Sequence, residues 1–373
     1  MLLSLIDKLG INVSELDDKK EQTTYKIKYV AKYVESWLLV NENRVDVTSI
    51  NFIDCMCNAG IYKDGDLSTA IEIFKLFILA ATSHPEKTFN LLLNDNRAER
   101  IEICSQIITE ISDGHQPSNL VVSSVCQDVN DYLMGLQNRM SCLGFGSTIL
   151  YVDPYNLTTV DMKKLSDFLK QKGIYCELLL NLATQHFVRD KDDGRISQCF
   201  AGLSIETKDD LLRATESFLR VGAINHVFRY QFHNVNDVEL YQIVFATPHL
   251  RGLEKLKDAI WEVFKGKEHH RNIKGSTVQT TLWNETEKED RVSKYAPDAC
   301  DMLTSHFSGQ TSVGYGDIEA YIIENTMLAA THIIQSVLKP LIKDCRIEKI
   351  NLVGNRNNYH DDKYNFQFQG ADE

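Results

Sequence analysis

The sequence predicts an α/β fold: a mostly parallel, Rossmann-like sheet ending in an antiparallel hairpin, followed by a small winged-helix-like domain. Three observations predict it. Apolar runs alternate with helical stretches from residue 46 to 181, the signature of right-handed βαβ units and a parallel sheet. Four of those runs end at, or lead on to, an acid: Asp54, Asp95, Asp128 and Asp153. Two later apolar stretches, 223–232 and 241–247, are separated only by the turn-like 234–237 and read as a terminal antiparallel pair.

The elements follow in order. Residues 1–20 read as a short capping helix and loop. Residues 25–40 carry apolar side chains at spacings of three and four with lysines between them, which predicts a helix. Residues 46–54 make the first strand, and 69–77 the helix after a glycine turn. Strand 88–94, helix 97–111, strand 119–124, helix 128–138, strand 147–153, helix 158–171 and strand 174–181 come next. The long polar stretch 184–220 reads as an insertion above the sheet. A helix at 253–264 closes the core, and the charged, turn-rich 265–300 reads as a linker. Helices at 318–325 and 329–341, then a hairpin of 347–353 with 364–368, complete a winged-helix pattern. The expected division is an N-terminal helical segment over 1–45, a Rossmann-like domain over 46–264, a linker over 265–300 and a terminal domain over 301–373.

Composition narrows the class. At 373 residues the chain exceeds what one core usually organises. Hydrophobic residues make up 43% and charged residues 25%, as in an ordinary globular enzyme. No apolar stretch reaches the roughly eighteen uncharged residues of a membrane span. The amino terminus has no basic leader and meets Asp7 early, so no signal peptide is expected. The nine cysteines are scattered, without a C-x-x-C pair, which favours reduced thiols in a cytoplasm over zinc or disulfides. A net charge of −12 argues against whole-surface affinity for nucleic acid, although a local basic stripe would suffice.

Acids at the carboxyl ends of neighbouring parallel strands point into one crevice, where α/β sheets bind nucleotides. Their order here suggests a class I methyltransferase core holding S-adenosylmethionine. In the turn Cys57-Asn58-Ala59-Gly60 the backbone must approach a nucleoside closely, which requires a small residue at Gly60. Asn58 tolerates positive φ there. Asp95 suits two roles, acceptor for ribose hydroxyls or cap of the helix that follows. Asp128 has the same ambiguity between an adenine amino contact and the cap of the helix from Val129. Asp153-Pro154-Tyr155-Asn156 is the sharpest tetrapeptide. The proline turns carbonyls and the Asp153 carboxylate toward the crevice, and Tyr155 can stack on a planar ring bearing an amine. A plain strand-ending Asp-Pro turn is the alternative. Glu177 and Asn181, four apart on one strand, share a face. His226, His249, His269 and His270 lack metal-ligand partners at useful spacing, so no metal is expected. Lys339, Lys343 and Arg346 make a mildly basic patch, and the terminal domain suits protein contact as well as DNA.

At these residues the chain resembles the three-Cys-motif partner protein (TcmP) family, from about Thr23 to the end. A lysine-bearing helix over 26–37 precedes a turn, residues 54–62, in which Asp54, Gly60 and Tyr62 match; Asn58 replaces a glycine and Met56 an aromatic. The family's D-P-F-G matches Asp153-Pro154-Tyr155-Asn156, again with glycine lost. Its E-x-x-x-N strand matches Glu177 and Asn181. Its Y-x-L-x-F-A-T strand, G-L and lysine helix match 241–247, Gly252-Leu253 and Lys257. The second-strand acid aligns with Asn94 or Asp95, of which only Asp95 is charged. The resemblance implies a methyltransferase-like fold, a bacterial setting and a genetic partnership with a radical-SAM-like protein carrying three cysteines. Two readings remain open. One is a methyltransferase acting on an amino group of a DNA or RNA base, with Asp54, Asn58, Gly60, Asp95 and Asp128 on the cofactor and Asp153, Pro154 and Tyr155 on the amine. The other is a non-catalytic scaffold of the same fold.

Overall fold

The computed structural model describes residues 4–143, 146–171, 175–192, 194–272, 283–351 and 364–369. Residue 174, residues 352–353 of the expected hairpin and 273–282 of the expected linker lie outside them. The chain forms two compact units, Met1–Gly252 with His269–Lys274, and Leu253–Glu268 with Gly275–Glu373.

The first unit is built on an eight-stranded sheet of order β3-β2-β1-β4-β5-β7-β6-β8. Its strands are β1 (Ser49–Asp54), β2 (Thr88–Asp95), β3 (Leu120–Cys126), β4 (Gly146–Val152), β5 (Tyr175–Leu182), β6 (His226–His233), β7 (Glu239–Thr247) and β8 (His269–Arg271). Only β7 runs against its neighbours. This is the class I methyltransferase arrangement, extended by the edge strand β8. The helices α1 (Leu5–Leu9), α2 (Glu21–Asn41), α3 (Thr69–Ser83), α4 (Ala98–Ser112), α5 (Val129–Leu143) and α6 (Met162–Leu169) precede or connect these strands. The order reverses between β1 and β4, which sets a topological switch point outside their carboxyl ends.

Covering both faces of a parallel sheet requires apolar runs rather than alternation, and β1 is buried along its whole length. Its one core asparagine, Asn51, is satisfied across the sheet. Asn51 Nδ2 donates to Thr148 Oγ1 on β4 (3.1 Å), and its Oδ1 accepts from Asn90 Nδ2 on β2 (2.8 Å). The α2 helix buries Lys26, Tyr29, Val30, Tyr33, Val34, Trp37 and Leu38 along one stripe. Each large apolar member of that stripe contributes about 1.5–3 kcal/mol.

The stretch 184–220 holds three short helices, Phe187–Asp190, Gly194–Cys199 and Lys208–Leu219. The last opens on a capping box between Thr207 and Asp210.

Two expectations change. Residues 265–300 are not simply a linker: they contain β8 and most of the long helix Trp283–His306. The helix Leu250–Phe264 groups, from Leu253 onward, with the second unit rather than closing the first. In that second unit, helix Tyr315–Asn325, a continuous helical run from Ala330 to Lys343 with a π-helical centre, and a small sheet follow. The sheet orders β10 (Ile347–Asn351), β11 (Tyr364–Phe368) and β9 (Val313–Gly314), all antiparallel. Arg346 of the basic patch is tied to Asp301 (2.7 Å).

Candidate functional site

A cleft of about 370 Å³ opens at the switch point, within the first unit. It brings together Asp54, Asn58, Asp153, Pro154 and Tyr155 of the sequence-predicted set, with Tyr62 and Asn181 beside them. Gly60, Asp95, Asp128 and Glu177 are not part of its wall.

The turn after β1 is left-handed at two positions, of which Asn58 lines the cleft and Gly60 packs on the core side chains Ile71 and Cys104. Asn58 sits at φ 60° and Gly60 at φ 82°. A Cβ on Gly60 would come within 3.1 Å of Ile71 Cγ1. Asn58 tolerates its left-handed backbone because its side chain bonds locally: Oδ1 accepts from the Ala59 N–H (2.6 Å) and Nδ2 donates to Asp17 (2.8 Å).

Asp54 ends β1 at 1% exposure. Burial pushes its carboxyl up to about 8; the Met56 N–H bond opposes that, and the charges of Asp153 and Asp95 add to it. Asp54 is therefore mostly protonated at neutral pH. Asp153, immediately after β4, accepts from Lys26 Nζ (2.5 Å), Asn181 Nδ2 (2.6 Å) and Tyr151 Oη (3.2 Å). With Nδ2 committed to that carboxylate, the other end of the amide is fixed as an acceptor. Among the described residues, Asn181 Oδ1 is buried and has no hydrogen-bond partner, and the Ser68 hydroxyl in the same wall is likewise unpaired. Orphaned polar atoms in a cleft mark places for ligand groups.

A second network crosses the rim. Tyr155 is 60% exposed, yet its hydroxyl donates to Asp17 (2.7 Å) and accepts from Arg100 (2.9 Å). Arg100 also binds both oxygens of Asp17, at 2.9 and 3.1 Å. Burial pushes the Asp17 carboxyl up, but hydrogen bonds from Tyr155 and Asn58 and the Arg100 charge outweigh it and hold the group below its usual range.

Asp95, at the end of β2, accepts the Asn58 N–H and the Arg97 N–H, both at 3.1 Å, and lies 4.0 Å from Arg100. Burial raises its carboxyl, while the Arg97 N–H and the Arg100 charge pull it down. Asp95 thus pins the turn after β1. Asp128 is exposed; its carboxylate accepts the Asn130 N–H (2.8 Å) and its carbonyl the Tyr132 N–H (2.9 Å), which is the geometry of a helix cap.

Glu177 shares a strand face with Asn181 but sits four residues deeper. It accepts from Tyr33 and from Thr247 Oγ1 (2.7 Å), and a Cβ on Gly252 would fall 2.2 Å from its Oε1. Glu177, Thr247 and Gly252 form one packing node rather than part of the cleft.

Sequence reasoning missed the roles of Asp17, Arg100, Ser68 and Lys26. A signal existed for Lys26: a lysine at the head of an apolar stripe recurring at three, four and seven residues is buried by the helix that carries it. Nothing in the sequence marks Asp17, whose partners come from three distant segments.

No family model and no curated protein matches the chain. Several solved structures are similar at low levels. Magnesium protoporphyrin IX methyltransferase from Synechocystis PCC 6803, with bound SAM, is 10% identical over 65% of this chain and 92% of its own, at a TM-score of 0.31. A point mutant of the 16S rRNA (adenine(1408)-N(1))-methyltransferase from Catenulisporales acidiphilia is 10% identical over 57% and 90%, at 0.27. Loganic acid methyltransferase with SAH is 10% identical over 74% and 91%, also at 0.27. Such values carry no substrate or activity across to this chain.

Proposed function

We propose that this chain is an S-adenosylmethionine-dependent methyltransferase that acts on an exocyclic amine of a nucleic-acid base. The observation that carries the reading is the acceptor pair at the end of β4 and β5: the Asp153 carboxylate and the orphaned Asn181 Oδ1. An amino group has two N–H donors to offer such a pair, and its lone pair is then held at a fixed angle to the cleft.

The cleft fits the cofactor on one side. The left-handed turn at Asn58, the protonated Asp54 and the unpaired Ser68 offer close backbone approach and hydrogen-bonding groups for it. When bound, S-adenosylmethionine supplies an electrophilic methyl group on a sulfonium sulfur. Asp153 and Asn181 orient the substrate nitrogen, Lys26 holds the Asp153 carboxylate in place, and the exposed ring of Tyr155 stacks on the base. Asp153 or water would take the proton that the amine sheds on methylation, while the cofactor's sulfur would keep the electron pair of its broken bond to the methyl carbon, so no strong base is required. Asp95 holds the turn that shapes the cofactor side, and Asp128 contributes through the helix it caps.

Titration calorimetry with S-adenosylhomocysteine, paired with transfer of labelled methyl to DNA and RNA, tests this. Asp54→Ala and Asp95→Ala lose cofactor binding, whereas Asp153→Ala and Asn181→Ala keep it and lose transfer by about a hundredfold. Wild-type transfer by Asp153→Ala would remove the amine-positioning role, and unchanged affinity in the first two would remove the cofactor assignment.

One observation favours a second reading. Asp17, Arg100 and Tyr155 close the rim on one another, and Asp95 already accepts two backbone N–H groups. That arrangement suits a methyltransferase-fold scaffold that works with a partner, such as a three-cysteine radical-SAM-like protein, through a winged-helix-like second unit. Absence of cofactor binding, alone and with that partner, would select it.

A further inference from the structure

We propose that His233, Asp237 and His269 form a site for a divalent transition-metal ion of the zinc class on the edge of the sheet, separate from the cleft. Three independent elements deliver the ligands. His233 ends β6, His269 begins β8, and Asp237 lies in the turn between β6 and β7. The two strands pair in parallel with Gln231 opposite His269, so Gln231, His233 and His269 lie on one face of the edge. The imidazoles stack with centroids 4.2 Å apart. Asp237 occupies a left-handed position, φ 64°, in a turn closed by the Asn234 N–H to Val238 carbonyl bond (2.8 Å), and its carboxylate is thereby turned back to both rings.

The distances suit a small ion. Asp237 Oδ1 lies 3.0 Å from His233 Nδ1 and 3.4 Å from His269 Nε2, and the three ligand atoms all fall within 4.8 Å of one another. Ligands at about 2.0–2.1 Å around a tetrahedral ion stand about 3.3 Å apart. Two imidazoles and a carboxylate are a borderline donor set that favours zinc, cobalt or nickel over magnesium or calcium. A supporting group is in place as well: His233 Nε2 is 3.2 Å from Gln231 Oε1, an acceptor for the Nε2 proton when Nδ1 binds a metal. The side chains are 14%, 33% and 49% exposed, which leaves room for water to complete the coordination. Arg271, 3.9 Å from the other Asp237 oxygen, competes for that carboxylate.

The site would brace the start of α2. Next to His269, His270 packs on Tyr25 (4.1 Å between centroids), and Asn272 donates to Gln22 (3.0 Å). A metal that holds β8 thus also holds the helix that presents Lys26.

The test is titration of the full, thiol-reduced chain with Co2+ and Zn2+, read by visible absorption and calorimetry. One saturable site with d–d bands of nitrogen and oxygen ligation is expected. His269→Ala and Asp237→Asn each weaken it at least about tenfold, and Arg271→Ala tightens it. Asparagine tolerates positive φ, so Asp237→Asn keeps the turn and separates lost ligation from lost folding. Unchanged affinity in both ligand variants, bands of thiolate ligation only, or no saturable binding would each overturn the site.

Discussion

Asp54 offers the sharpest test of the cleft's electrostatics. Its carboxyl is buried and keeps its proton to about pH 8, against 3.8 for an ordinary aspartate. In the unfolded chain the group ionises near pH 4. Between those values the folded state binds one more proton than the unfolded state, so this group makes the protein less stable as pH rises. Each unit is worth about 1.4 kcal/mol, so the loss between pH 5 and pH 8 is about 3–4 kcal/mol. Asp54→Asn removes the titration while its Oδ1 still accepts the Met56 N–H, now 3.0 Å away. The variant should therefore gain about 3–4 kcal/mol on the wild type over that pH range. Hydrogen exchange of the β1 amides measures it within the first unit, and urea unfolding gives a second readout. A wild-type-to-variant difference that stays constant from pH 5 to pH 8 would show Asp54 ionised in the fold and refute the reasoning.

Lys257 in the second unit should behave in the opposite sense. Burial lowers its ammonium to about 7, while in the unfolded chain it titrates near 10.5. The unfolded state then binds more protons between those values, and stability rises with pH; Lys257→Met should outlast the wild type by more at pH 7 than at pH 10, its margin shrinking by about 3–4 kcal/mol between them. Equal margins at both pH values, by urea unfolding, would count against a neutral buried lysine. Gly60→Ala should cost about 1–3 kcal/mol, from its φ of 82° and the 3.1 Å approach of Ile71, read as a lowered thermal midpoint. A midpoint equal to wild type would mean the turn relaxes freely.

Local chemistry made much of this chain legible in the sequence. Period-3.6 stripes and all-apolar runs depend on residues close in sequence, so the strands from β1 to β5, their helices and the terminal hairpin fall where the pattern places them. The strand-end acids Asp54 and Asp153 and the Asn58–Gly60 turn were visible for the same reason: each follows directly from the strand that carries it. The three-residue strand β8 was invisible, because a segment so short becomes a strand only when β6 offers it an edge.

What the sequence leaves undecided is which acids share a space. Asp128 and Glu177 occupy equivalent-looking positions to Asp54 and Asn181, yet one caps a helix and the other bonds Tyr33 and Thr247 inside the core. The union of Asp17, Arg100 and Tyr155, and of His233, Asp237 and His269, joins residues up to 138 positions apart. Hydrophobic periodicity determines the elements and their order, since it acts along the chain. Hydrogen-bond partners, burial and the proton held by Asp54 arise only when distant segments exclude water together, and only the tertiary structure decides them.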